Sequence, residues 1–175
     1  ASTAVAMAIG DALATAWMVD EGISPEQFAI NHPAGQLGKK LTLSIPDIMI
    51  PVNKISTLYE DTPMLEIITQ ITKGGIGSAC VISKTNSKKI IGIITDGDLR
   101  RSLISRKEKN WLDIKAKDIM TKNPITTKQD TLAIKALELM EKNVRKPITI
   151  LPVTNDCDEI VGLIRLHDLI QRGLS

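Results

Sequence analysis

The chain has 175 residues, 43% of them hydrophobic but only 2% aromatic, so it can bury a real core, that core must be aliphatic, and it has few platforms for stacking nucleic-acid bases. Its 22 basic and 20 acidic residues nearly cancel to a net charge of +2, which argues against duplex DNA binding by counterion release and leaves any phosphate recognition to local clusters. The two cysteines, Cys80 in an apolar run and Cys157 in a polar turn, have neither metal-ligand spacing nor a disulfide framework, and read as reduced thiols of a cytoplasmic protein with no metal and no cofactor.

Ser2 or Thr3 can cap a helix that runs to about Asp20, with Val5, Ala8, Ile9, Ala12, Leu13, Ala16 and Trp17 on a broad apolar face. Small and apolar residues cover most of its remaining surface, and such a helix needs partners on several sides. The residues that follow supply few, so a neighbouring domain is expected. Asp11, the many Ala and Thr residues and the lack of a basic leader fit neither a spanning helix nor a signal peptide, so no membrane partner is expected. The start at Ala1 rather than Met points to a trimmed or processed piece of a longer chain. Gly22 ends the helix.

Ser24-Pro25-Glu26-Gln27 reads as a helix start, with a capping serine, proline at the first helical position and glutamine placed for a capping box. That helix is expected to stop before Pro33. His32-Pro33-Ala34-Gly35-Gln36-Leu37-Gly38-Lys39-Lys40 forms an irregular loop, the kind of segment that carries function more often than helices do. His32 could present a neutral imidazole for proton transfer near neutral pH, or it could be structural. With no acid or nucleophile near it in sequence, it could not run acid-base chemistry unaided.

From Asp47 the chain repeats itself. Asp47-Ile48-Met49 returns as Asp118-Ile119-Met120, each followed by a short segment containing proline. Asp61-Thr62 returns as Asp130-Thr131, each opening a helix, with Leu65, Ile68 and Ile71 as core positions in one and Leu132, Leu137 and Met140 in the other. Strands are expected over 79–83 and 148–153, followed by polar hairpin turns over 85–88 and 155–158. These lead into Gly92-Ile93-Ile94-Thr95-Asp96-Gly97-Asp98-Leu99-Arg100-Arg101 and Gly162-Leu163-Ile164-Arg165-Leu166-His167-Asp168-Leu169. Each reads as strand, tight turn and helix, so each repeat is a β-α-β-β-α unit, and a charged segment over 107–117 with Trp111 joins the two. Neither repeat alone covers both faces of so small a sheet. A pseudo-twofold pair would bring the turns Thr95 to Asp98 and Arg165 to Asp168 to one central cleft.

Those turns hold the candidate binding residues. Asp98, at a helix start and three residues after a hydroxyl, can accept the vicinal hydroxyls of a ribose while Thr95 and the free helix amides face a phosphate. Thr-x-x-Asp is equally a capping box that needs no ligand. In the second repeat Arg165 replaces the hydroxyl while Asp168 stays, which capping explains only if Asp168 caps alone. Arg100, Arg101 and Arg165 can offer charge to a phosphate or can simply be solvated. His167 reads as exposed, and Cys80 as core packing.

The doubled unit, with its Asp-Ile-Met openings and the Gly-Ile-Ile-Thr-Asp-Gly-Asp-Leu-Arg-Arg turn, resembles a tandem pair of CBS domains over residues 47–105 and 118–175. Gly10-Asp11-Ala12-Leu13-Ala14, with Asn31-His32-Pro33-Ala34-Gly35-Gln36-Leu37-Gly38-Lys39-Lys40-Leu41, resembles the end of the sugar isomerase (SIS) domain of D-arabinose 5-phosphate isomerases, over residues 1–40. The fold implied is α+β or α/β, a CBS pair preceded by the last SIS helices. The activity implied for the parent protein is interconversion of D-ribulose 5-phosphate and D-arabinose 5-phosphate through an enediol. That reaction feeds synthesis of the Kdo sugar of lipopolysaccharide or capsule.

The resemblance puts His32 at the active site, with Ala34 where the family often has glycine. It implies a regulatory nucleotide-type module, and Thr95, Asp98, Arg100, Arg165 and Asp168 are expected to line its cleft for a nucleotide or a nucleotide-sugar such as CMP-Kdo. A cytoplasmic homo-oligomer without nucleic-acid or membrane partners is expected. The phosphate-binding loops and catalytic carboxylates of an SIS domain would precede Ala1, so these residues alone are not expected to isomerise sugar phosphates. Two rivals stand beside this reading: a CBS pair that only packs and dimerises, with vestigial sites, and a free-standing nucleotide sensor. The latter gives no reason for the first helix or the His-Pro-Ala-Gly loop.

Overall fold

The computed structural model describes residues 2–24, 27–28, 38, 42–86, 88–105, 111–142 and 147–174. Two compact units divide the chain between Leu43 and Ser44. His32 and the role expected of it lie outside the described residues.

In the first unit the helix α1 spans Ser2–Asp20 and none of its residues is buried. It ends where Gly22 takes φ +63°, a left-handed conformation that glycine adopts without strain. By length and composition alone α1 could cross a membrane. Asp11 at its middle opposes that, because a carboxylate at a helix centre costs roughly 2.5–3.5 kcal/mol to insert. Ser24 and Gln27 form the expected capping box: Gln27 N donates to Ser24 Oγ at 3.3 Å and Ser24 N to Gln27 Oε1 at 2.9 Å.

The second unit contains both repeats. The first runs β1 (Ile50–Pro51), β2 (Ser56–Tyr59), α2 (Met64–Gly74), β3 (Ser78–Ile82), β4 (Ile90–Thr95) and α3 (Asp96–Ser105). The second runs α4 (Ala116–Ile119), β5 (Thr121–Lys122), β6 (Thr127–Lys128), α5 (Ala133–Glu141), β7 (Ile150–Thr154), β8 (Ile160–Arg165) and α6 (Leu166–Gln171). Among the described residues these strands form two sheets, in the orders β2-β3-β4-β5 and β1-β8-β7-β6. The parallel pairs β2/β3 and β6/β7 are each linked through a helix, and β3/β4 and β7/β8 are antiparallel hairpins. Each repeat is therefore the β-α-β-β-α unit that the sequence predicts.

Each repeat also lends its opening strand to the other. β1 pairs antiparallel with β8, placing Pro51 opposite Gly162, and β5 pairs with β4, placing Lys122 opposite Gly92. Pro51 is tolerated because β1 lies at a sheet edge. The repeated Asp-Ile-Met motif is the clasp for this exchange. Asp47 Oδ2 accepts the Ser44 amide and Asp118 Oδ2 the Lys115 amide, both at 3.0 Å. The methionines then lie against the partner repeat's glycines: a Cβ at Gly162 would stand 3.0 Å from Met49 Sδ, and one at Gly92 2.5 Å from Met120 Sδ.

Helix α2 buries Met64, Ile67 and Ile71, while Ile68 is only partly buried and Leu65 is 60% exposed. The expected core face is thus corrected at Leu65. Pro63 is the N-cap, so helical phase starts at Met64 and the i, i+3, i+7 stripe follows from there. In α5, Leu137 and Met140 are buried as expected, together with Ala133 and Ala136, and Leu132 is the N-cap residue.

Strand β3 is buried on both faces. Ala79 and Val81 pack toward α2 with Ile94, whereas Cys80 and Ile82 pack with Ile93, Ile160 and Leu163, closing the seam between the repeats. Burial pushes the Cys80 thiol up to about 12, and Cys157 is exposed. Because the thiolate is the reactive form, the native chain is expected to take one equivalent of a thiol reagent at Cys157. A second should enter only in denaturant. Mass spectrometry of the labelled protein reads this, and two labels on the native chain would contradict it.

Candidate functional site

Strand β4 hands directly to α3 at Thr95-Asp96. The Asp96 amide donates to Gly77 O at 3.0 Å, which docks the turn against the residue before β3. Gly77 has φ +74°, a left-handed conformation that calls for glycine. The capping box is present: Asp98 Oδ2 accepts Thr95 N at 2.9 Å and Thr95 Oγ1 at 2.7 Å, and the Asp98 amide donates to Thr95 Oγ1 at 3.4 Å. Asp98 Oδ1 is left over, and Arg101 Nη2 donates to it at 2.6 Å.

The two members of that ion pair differ in exposure, 10% for the Asp98 side chain and 57% for that of Arg101. Burial by itself raises the Asp98 carboxyl, but the Thr95 hydroxyl, the Thr95 amide and the Arg101 guanidinium together hold it below the usual carboxylate range. A charged acceptor is therefore fixed at the start of α3, where the helix dipole also favours negative charge.

A cavity of about 580 Å³ opens onto this turn, within the size range of small-ligand sites. Thr95, Asp96, Gly97, Asp98, Arg100 and Arg101 give it one charged side. Its apolar lining comes from Ile76 and Ile93 of the first repeat and from Pro124, Ile125, Pro147, Ile148, Ile150 and Pro152 of the second. The cavity is thus built by both repeats.

Of the residues predicted from sequence, Thr95, Asp98 and Arg100 come together on this cavity. Arg165 and Asp168 do not line it. They hold each other instead, with Nε donating to Oδ2 and Nη2 to Oδ1, each at 2.7 Å, and this contact raises the Arg165 pKa further. The second turn nevertheless adjoins the cavity through Thr149, which accepts the Leu166 amide, and Ile150, which pairs with Arg165. β5 flanks β4, and Pro124 and Ile125 of the segment after it line the cavity beside the first turn; β1 flanks β8 in the equivalent way. The backbone is alike in both, since Leu166 N donates to Thr149 O at 2.9 Å as Asp96 N does to Gly77 O. His167 is exposed.

Sequence reasoning missed the apolar lining. The available signal was the repeat register: Ile76-Gly77 and Ile148-Thr149 immediately precede β3 and β7, and all four line the cavity.

CBS domains match residues 46–105 and 116–175. The chain belongs to the CBS domain family. Arabinose 5-phosphate isomerase KdsD of Yersinia pestis is 37% identical over 173 residues, covering 99% of this chain and 50% of that protein. Arabinose 5-phosphate isomerase KpsF of Escherichia coli is 36% identical over 167 residues, covering 95% and 48%. The chain spans about half the length of the curated relatives it matches. Among solved structures, CBS domain protein PAE2072 from Pyrobaculum aerophilum, complexed with AMP, is similar at a TM-score of 0.63 and 22% identity, over 76% of this chain and 99% of that one. CBSX2 in complex with AMP gives 0.61 and 18%, over 75% and 96%. The fold is that of a CBS pair.

Proposed function

We propose that this CBS pair is the ligand-sensing part of an arabinose 5-phosphate isomerase and takes an adenine nucleotide in the cavity on α3. One observation carries the reading. An ionised Asp98, fixed by Thr95, stands beside Arg100 and Arg101 on a cavity whose remaining lining is mostly apolar. A nucleotide has the matching parts: a diol for the carboxylate, a phosphate for the arginines and the first amides of α3, and a flat base for the isoleucine and proline lining. The AMP complexes of its structural neighbours support the choice of base. The names of its relatives support the parent activity on a sugar phosphate; the same proposal takes residues 1–40 as the end of the SIS domain with His32 at its active site, and the whole protein as a cytoplasmic homo-oligomer.

Calorimetric titration of the 175-residue chain with AMP, ATP and CMP-Kdo tests the assignment. Saturable heat with AMP or ATP is the expected result. Heat with CMP-Kdo alone would reassign the cavity to a nucleotide-sugar. No heat from any of the three would favour the rival in which the pair only packs and dimerises.

A further inference from the structure

We infer that Arg165 is a built-in occupant of the second repeat's turn, so that the CBS pair takes one nucleotide per chain, at the first repeat only. The inference rests on the nucleotide reading of the cavity above. The repeats superimpose by register: β3 pairs Ser78 with Thr95 as β7 pairs Ile150 with Arg165. Asp98 and Asp168 therefore occupy the same place, and so do Thr95 and Arg165.

What differs is how much of each carboxylate is free. Thr95 uses only Oδ2 of Asp98, and Oδ1 is met by one guanidinium nitrogen of Arg101, whose side chain is largely in solvent. A one-point contact from an arginine largely in solvent is the weaker form, so a diol can displace it. Arg165 takes both oxygens of Asp168 at 2.7 Å through Nε and Nη2, and the two side chains are 37% and 16% exposed. A planar two-point grip is the strong form of the contact. A neutral diol offers no charge to replace it.

A second difference points the same way. The positions matching Arg100 and Arg101 are Ile170 and Gln171. Among the described residues, α6 thus lacks the two arginines that follow Asp98 in α3, and Arg165 is committed to the carboxylate.

The test is the number of AMP molecules bound per chain, read by calorimetry on three proteins. The unaltered chain is expected to bind one. Thr95→Arg transplants the grip onto Asp98 and is expected to bind none. Arg165→Thr/Ile170→Arg/Gln171→Arg gives the second turn the side chains of the first and is expected to bind two. Circular dichroism melts check that each folds, and Arg165→Thr alone, titrated to millimolar AMP, replaces the triple variant if that one does not. Two AMP on the unaltered chain, or one on the unaltered chain and still only one on the folded variant, overturns the lock while leaving the nucleotide reading intact. None on the unaltered chain with one on the variant supports the lock and overturns the reading of the first site. None on either overturns both.

Discussion

Gly162→Ala is expected to lower the stability of the CBS pair by about 2–3 kcal/mol, at the upper end of the range for forcing one extra carbon into a packed interior. A Cβ at Gly162 would stand 2.6 Å from the carbonyl oxygen of Ile50 and 3.0 Å from Met49 Sδ. The nearer obstacle is backbone, in the strand that pairs Ile50 with Leu163 and Pro51 with Gly162. It can yield only if β1 moves off β8. Gly92→Ala meets a different obstacle, the Met120 side chain, with Sδ at 2.5 Å and Cβ at 3.2 Å. A thioether can rotate away, so roughly half the loss is expected there. Urea unfolding at constant m reads both variants. Two double-mutant cycles separate the causes: Met120→Ala should relieve much of the Gly92→Ala penalty, and Met49→Ala should relieve little of the Gly162→Ala penalty. Equal losses for the two glycines, or relief by Met49→Ala, would show that the exchanged β1 is not held against Gly162 as described.

Those two glycines also mark where sequence reasoning reached its limit. The repeat itself was legible because its signals are local: alternating apolar runs, polar hairpin turns, and a carboxylate three residues after the end of each β4-type strand. The exchange of opening strands was not, because β1 and β5 are two residues each. That is too short for alternation to show, and their pairing is a tertiary fact. The identical Asp-Ile-Met words were visible, but their purpose emerges only when Met49 is found on Gly162 and Met120 on Gly92. Leu65 failed for a smaller reason, since one residue of helical phase, set by Pro63, moves it from core to solvent.

At the site, the residues of the first turn were legible and the fate of the second was not. The Thr-to-Arg change at 165 was plain in the sequence, and with it the loss of the hydroxyl cap. What spacing could not convey is that an arginine at the end of a strand reaches the carboxylate three residues on with both of its donors. Duplication made two equal scaffolds, as the shared amide contacts to Gly77 and Thr149 show. The side chains then differ: those of the first turn line a cavity, and in the second Arg165 holds Asp168.

Asp98→Ala is expected to weaken AMP binding roughly 10- to 150-fold, the equivalent of the 1.5–3 kcal/mol that a hydrogen bond to a charged group contributes, and to cost about 1 kcal/mol of stability through loss of the cap. Asp98→Asn separates the two effects. Its amide oxygen can still accept from Thr95, so most of the cap persists, but the charge that holds Arg101 and would anchor a diol is gone. Most of the affinity loss should therefore remain while most of the stability returns.

The pH dependence of stability gives an independent check that needs no ligand. The Asp98 carboxyl is held below its ordinary range by Thr95 and Arg101 against the opposing effect of burial. A carboxyl with a lowered folded pKa contributes stability that is fully present above the unfolded value of about 3.9 and is lost as pH falls through the folded one. The stability difference between the unaltered chain and Asp98→Asn should accordingly stay constant from neutral pH down to about 4 and shrink below it. A difference that instead disappears between pH 7 and 5 would mean that Asp98 is not the ionised anchor on which the cavity's chemistry depends.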